Sequence, residues 1–140
     1  MANTFCDMKK NDSLKLLVFF LFLLHTLSAV AQNDAIAQIK ETIKAGSAKE
    51  LSKYLNQTVD VTIEGNVQSY SKAQAEFVFR DFFKQHSPLE FNIIHQGSSK
   101  GGQPFAIGQY KTGSDVYRVF MKIKTVGGQQ LVHEISFVKE

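Results

Sequence analysis

Residues 116–140 read VYRVFMKIKTVGGQQLVHEISFVKE, two alternating runs around a Gly-Gly pair. How these runs pair decides which side chains lie inside the protein. A two-residue turn at Gly127-Gly128 fixes register. It sets Met121 opposite Glu134, Val119 opposite Ser136 and Tyr117 opposite Val138. The preceding run, FAIGQYKT, turns near Gly113-Ser114. That sets Tyr110 opposite Tyr117, Gly108 opposite Val119 and Ala106 opposite Met121. One face then carries Ala106, Gly108, Tyr110, Tyr117, Val119, Met121, Ile123, Val132, Glu134, Ser136 and Val138. The other carries Ile107, Gln109, Lys111, Arg118, Phe120, Lys122, Lys124, His133, Ile135 and Phe137.

Burying a large apolar side chain is worth roughly 1.5–3 kcal/mol, so the more apolar first face takes the core. Phe120, Ile135, Phe137 and Ile107 are then left outside, beside Arg118. An outer cluster of this kind marks an interface, here a sheet-to-sheet homodimer. The competing reading is that long Lys and Arg stems cover these rings.

Upstream lies YSKAQAEFVFRDFFKQHSP, residues 70–88. Ser71 to Gln74 forms a capping box and opens a helix. With Ala75 at zero and 100° per residue, Val78, Phe79, Phe82, Phe83 and His86 fall within about 80° of it. Phe77 points about 200° away, among charges. It packs on the earlier helices or stands exposed as a docking residue. Ser87-Pro88 ends the helix, and LEFNIIHQ (89–96) reads as a strand. Further upstream, Asn33 or Asp34 caps a helix that carries Ile36, Ile39 and Ile43 on one stripe and stops at Gly46. A second capping box, Ser47 to Glu50, opens a short helix that buries Leu51, Tyr54 and Leu55. TVDVTIEG (58–65) alternates as a half-buried strand, with a turn at Gly65-Asn66 and a return strand over 67–70.

The first 31 residues have a different character. Lys9, Lys10 and Lys15 precede or open the apolar run LKLLVFFLFLL (14–24), and Ala29-Val30-Ala31 follows. Basic, apolar and small-residue regions in that order make a secretory signal peptide, cut after Ala31. An uncleaved anchor is the alternative, and Met8 is an alternative start to Met1. Export implies a periplasmic or secreted protein with no membrane segment after cleavage. Residues 32–140 then form a single domain of 109 residues, enough for one core. Cys6, the one cysteine, lies in the leader, so the mature domain has neither disulfide nor thiolate chemistry. Three of the 16 basic and two of the 13 acidic residues precede Gln32, which leaves 13 against 11, a net +2. The basic residues are scattered, which argues against nucleic acid as a partner.

The order of two helices, a hairpin, a third helix and a long meander resembles the nuclear transport factor 2-like, or cystatin-like, fold. The runs YSKAQAEFVFRDFFKQHSPLEFNIIHQGSS, FAIGQYKTGSDVYRVFMKIK and LVHEISFVKE are similar to a small exported Bacteroidetes family, a domain of unknown function. The resemblance implies an α+β fold in which a curved antiparallel sheet wraps a cone around the helices. It supplies no catalytic residue. That fold serves enzymes such as ketosteroid isomerase, scytalone dehydratase and limonene epoxide hydrolase as well as noncatalytic proteins, so it does not decide function.

The face assignment places Phe79, Phe82, Phe83, Tyr110, Tyr117, Met121 and Glu134 around a pocket for a small apolar ligand. Glu134, desolvated there, is the candidate general base, with Tyr110 or Tyr117 as hydrogen-bond donor to a substrate oxygen. It is catalytically idle if it is solvated or paired with a Lys or Arg. No second acid falls on that face. His86, His95 and His133 lack ligand spacing, so no metal is expected, and no cofactor. His86 suits a helix cap, His95 a core position beside Phe91 and Ile93, and His133 a place opposite Lys122. The loop GSSKGG (97–102) precedes no helix and does not fit a phosphate loop. Three readings stand: a noncatalytic binding module for a small apolar ligand or a protein partner, a lyase or isomerase with Glu134 as base, and a structural homodimer.

Overall fold

The computed structural model of the chain describes residues 14–19 and 35–140. Residues 14–19 are helical with exposed side chains. The other N-terminal residues, with Cys6, the expected cleavage site at Ala29–Ala31 and the expected Asn33 or Asp34 cap, lie outside the described residues. Among the described residues no helix is long and apolar enough to cross a membrane.

The domain runs α1 (Ala35–Lys44), α2 (Ala48–Ser52), β1 (Leu55–Ile63), β2 (Asn66–Ser71), α3 (Lys72–Gln85), β3 (Glu90–Ser98), β4 (Pro104–Lys111), β5 (Val116–Val126) and β6 (Gln129–Lys139). Six strands form one sheet in the order β2-β1-β6-β5-β4-β3. Every pairing is antiparallel except β1 with β6, which run parallel. The meander thus folds back so that β6 lies between β5 and β1.

Local signals place the helices. Ile39 and Ile43 of α1 are buried. Gly46, at φ +66°, terminates α1, and a Cβ there would come within 3.3 Å of Pro88. The Ser47 hydroxyl accepts from the Glu50 amide at 3.2 Å. The Glu50 carboxylate turns to Lys53 instead of closing the box. Ser71 and Gln74 close theirs in both directions. The expected stripe of α3 is buried at Ala75, Phe79, Phe82 and Phe83. Phe77 is 63% exposed, so it does not pack on the other helices.

Four placements differ from expectation. α2 ends at Ser52, and Leu55 opens β1. Ile63 pairs with Asn66, so the tight turn is Glu64-Gly65. Both its residues have positive φ, 49° and 86°, the geometry of a type I′ hairpin. The third difference matters most. From Gln129 to Val132, β6 pairs as the Gly-Gly turn dictates, Ile123 with Val132. A bulge follows, and Lys122 pairs with Glu134 rather than with His133. One extra residue reverses every later side chain, because strand faces alternate with period two. Ile135 and Phe137 therefore point into the core and are fully buried, opposite Met121 and Val119. Glu134, Ser136 and Val138 point outward. β1 is irregular at the same level, taking five steps from Leu55 to Asp60 against two on β6. A further bulge in β3, between Ile93 and His95, turns His95 outward to pair with Ile107, where it is exposed.

The β4–β5 register is the expected one throughout. Gly108 in β4 is required by packing: a Cβ there would lie 2.4 Å from the Phe91 ring.

Candidate functional site

The space expected to be a pocket is occupied by rings. Phe82 lies 4.7 Å from Phe137, 5.5 Å from Tyr117 and 5.8 Å from Tyr110, centroid to centroid. Phe79 and Phe83 stack at 6.1 Å, and Tyr110 meets Phe137 edge-on at 5.7 Å. Phe79, Phe82, Phe83, Tyr110, Tyr117 and Met121 thus share one core with Phe137. Phe137, turned inward by the β6 bulge, fills the middle of that aromatic cluster.

The polar ends of both tyrosines are committed to the end of α3. Tyr110 donates its hydroxyl to the His86 carbonyl. The Tyr117 hydroxyl lies 3.2 Å from a Glu64 carboxylate oxygen and 3.2 Å from His86 Nδ1. A carboxylate only accepts, so the single phenolic proton goes to Glu64 and Nδ1–H donates to the phenol. That fixes the Nδ1-protonated ring. The expected cap role of His86 is replaced by this cross-link, although its backbone N–H does cap α3 through the Phe82 carbonyl. Asp115 and Lys139 form an ion pair at 2.7 Å close by.

Burial pushes the Tyr110 phenol well above its ordinary value, and Tyr117 beside it adds to the effect. Burial also raises Tyr117, reinforced by the hydrogen bond and charge of Glu64. Both phenols therefore stay protonated through the neutral range. Lys139 holds the Asp115 carboxyl below its usual range, chiefly by hydrogen bonding.

Glu134 is placed far from this cluster in role and in face. It sits on the outer side of the sheet and pairs with Lys122 at 2.8 Å, both about one-third exposed. The expected face is corrected here by the bulge, as it is for Ile135 and Phe137, which leave the outer cluster. Phe120 and Arg118 stay outside. Lys122 sets its ammonium 5.7 Å from the Phe120 ring centroid, so a stem and a charge partly cover that ring. Phe105 joins it at 6.1 Å, and His95 approaches Phe105 at 5.6 Å. A groove of 440 Å³ runs along this face, lined by Phe120, Ser136, Val138 and the Arg118–Glu140 pair. His133, at the bulge, contacts Gln103 at 3.2 Å instead of Lys122, and its Nδ1 is buried without a partner. Among the described residues no group of three or more His, Cys, Asp or Glu is placed to hold a metal.

Glu64 and His86 are the residues that sequence reasoning did not join to Tyr117. Glu64 belongs to a turn, and its partners lie more than twenty residues away. No local signal pointed to it, since positive φ is uncommon for a non-glycine residue and the sequence favoured Gly65-Asn66 as the turn.

The model of a family described as a domain of unknown function, DUF4783, matches residues 36–137. No curated protein matches the chain. A DUF4783 protein from Bacteroides ovatus, solved as a crystal structure, is 32% identical, with a TM-score of 0.70 over 74% of this chain and 94% of that one. A cystatin-like domain of unknown function from Nostoc punctiforme is 12% identical, with a TM-score of 0.63 over 81% and 80%. An NTF2-like protein of unknown function from Shewanella baltica is 10% identical, with a TM-score of 0.58 over 75% and 87%. The last two speak to the fold.

Proposed function

The chain belongs to the DUF4783 family of domains of unknown function, and on that premise we propose that it is an exported, noncatalytic binding module for a protein partner. The observation that carries this reading is the filled interior. An enzyme of the cone type needs a titratable group facing space that a substrate can enter. Here the inward phenols are spent on His86 and Glu64, and the one candidate base, Glu134, is ion-paired outside. Among the described residues the pocket expected beneath the sheet is taken up by packed rings, so this reading places recognition on the surface. The basic, apolar and small-residue order of residues 9–31 supports export to the periplasm or beyond.

Native mass spectrometry of the protein isolated gently from its own host tests this. The expected spectrum contains a complex with a second, different polypeptide. A retained stoichiometric small molecule would overturn the reading and return attention to the interior. A symmetric dimer without other partners would favour the structural homodimer through Phe120 and Arg118.

A further inference from the structure

α3 leaves one of its four phenylalanines in water. Phe77 is 63% exposed, while Phe79, Phe82 and Phe83 are buried. Arg80, one turn later, holds its guanidinium 5.1 Å from the Phe77 ring centroid. Glu76 fixes that arginine at 2.7 Å. Arg80 also lines a cleft of 350 Å³ between α3 and the α1–α2 turn, with Ser47, Lys49, Phe83 and Lys84. Three cations line this cleft and no carboxylate does. Among the described residues Lys49 and Lys84 make no ion pair. The acids nearby are otherwise engaged or turned away: Glu50 pairs with Lys53, Glu76 with Arg80, and Asp81 is exposed on α3 without lining the cleft.

Two unfavourable features therefore adjoin. Unneutralised like charges gather at a concave surface, which concentrates anions. An aromatic ring with an arginine over it stands in solvent, and these two residue types are enriched at protein interfaces. One occupant relieves both. We propose that Phe77, Arg80, Lys49 and Lys84 form the docking surface for an acidic segment of a protein partner that also carries an apolar side chain. The partner's carboxylates neutralise Lys49 and Lys84 in the cleft, and its apolar side chain covers Phe77 beside Arg80. A uronic-acid sugar offers the same charge, but it stacks on an open aromatic face, and Arg80 already occupies one face of Phe77. The proposal rests on the reading of the chain as a binding module and names the surface and the partner chemistry.

The test is an amide-resolved NMR titration of the purified protein with the peptide acetyl-Glu-Glu-Phe-Glu-Glu-amide. Its all-Gln counterpart and a hyaluronate oligosaccharide serve as comparison probes. The acidic peptide should shift Ser47, Lys49, Phe77, Arg80 and Lys84, and raising the salt should weaken it. Charge reversal at both lysines, Lys49→Glu with Lys84→Glu, should weaken binding roughly tenfold or more. Phe77→Ala should weaken it several-fold with the salt response unchanged. Lys100→Glu with Lys124→Glu, an equal charge change at two exposed positions outside the cleft, should leave binding as it was. Shifts spread over all lysines, or an effect of the double reversal below about twofold, would overturn the proposal. Tighter binding of hyaluronate at the same residues would overturn it in favour of a sugar. The two readings fail separately. A native partner that stays bound to the doubly reversed variant removes this surface and leaves the binding module standing. A host preparation with no partner removes the module whatever the peptide does.

Discussion

Phe137→Ala decides whether β6 is bulged. The ring is fully buried and meets Phe82 at 4.7 Å, Tyr110 at 5.7 Å and Phe79 at 6.1 Å. Truncating a phenylalanine so placed costs about 3–5 kcal/mol, the lost transfer energy plus the cavity left behind. Its neighbour Val138 is 47% exposed on the other face, and Val138→Ala should stay within about 0.5 kcal/mol. An unbulged strand reverses this order, with Val138 buried and Phe137 outside. Urea unfolding followed by far-ultraviolet circular dichroism suits the protein, which has no tryptophan. With a slope of about 1.5 kcal/mol per molar urea, Phe137→Ala should lower the midpoint by about 2–3 M. Val138→Ala should barely move it. Glu134→Ala gives a second reading of the same register. It removes an ion pair that is one-third exposed, worth at most about 1 kcal/mol. Equal midpoints for the Phe137 and Val138 variants, or a larger loss at Val138, would refute the bulge and restore Glu134 to the interior.

Gly108→Ala should destabilise the domain by about 1–3 kcal/mol through overpacking, because the new methyl group meets the Phe91 ring at 2.4 Å. Adding Phe91→Leu should recover part of that loss, and the same urea titration measures both. Tyr117→Phe removes the hydroxyl that joins Glu64 to His86 and should cost about 1–2 kcal/mol. The exchange-protected Nδ1 proton of His86 should disappear from the NMR spectrum with it. Alkaline pH should unfold the protein through the two buried phenols. Both are raised in the folded state, so between the unfolded value near 10 and the folded one the native state holds more protons. The stability they confer is present below about pH 10 and falls as pH rises past it. Absorbance of tyrosinate should therefore rise together with loss of circular dichroism. Titration of Tyr110 and Tyr117 at ordinary tyrosine pH in a still-folded protein would contradict the buried placement.

The helices and the β4–β5 hairpin were legible because each rests on a local rule. Ser71 and Gln74 sit three apart and cap each other, and Phe79, Phe82 and Phe83 share a helical stripe. The two-residue turn at Gly127-Gly128 was also legible, and it does set the first pairs of β6. What it could not set is the register beyond His133. A bulge there leaves no mark in the alternation, since VHEISFV reads equally well with either set of residues inward. The choice is made by the partners. Phe137 inside completes a ring cluster with Phe82 and Tyr110, while Glu134 outside finds Lys122. The reverse would bury a carboxylate beside Met121 and leave two large apolar side chains in water, a difference of several kcal/mol. The face assigned to Glu134 carried both the catalytic and the pocket expectation, so one extra residue in a strand moved the chemistry outside. Phe77 escaped for a simpler reason. Its angle on α3 was read correctly, but whether a neighbour covers that side of a helix depends on packing between elements, which no spacing records.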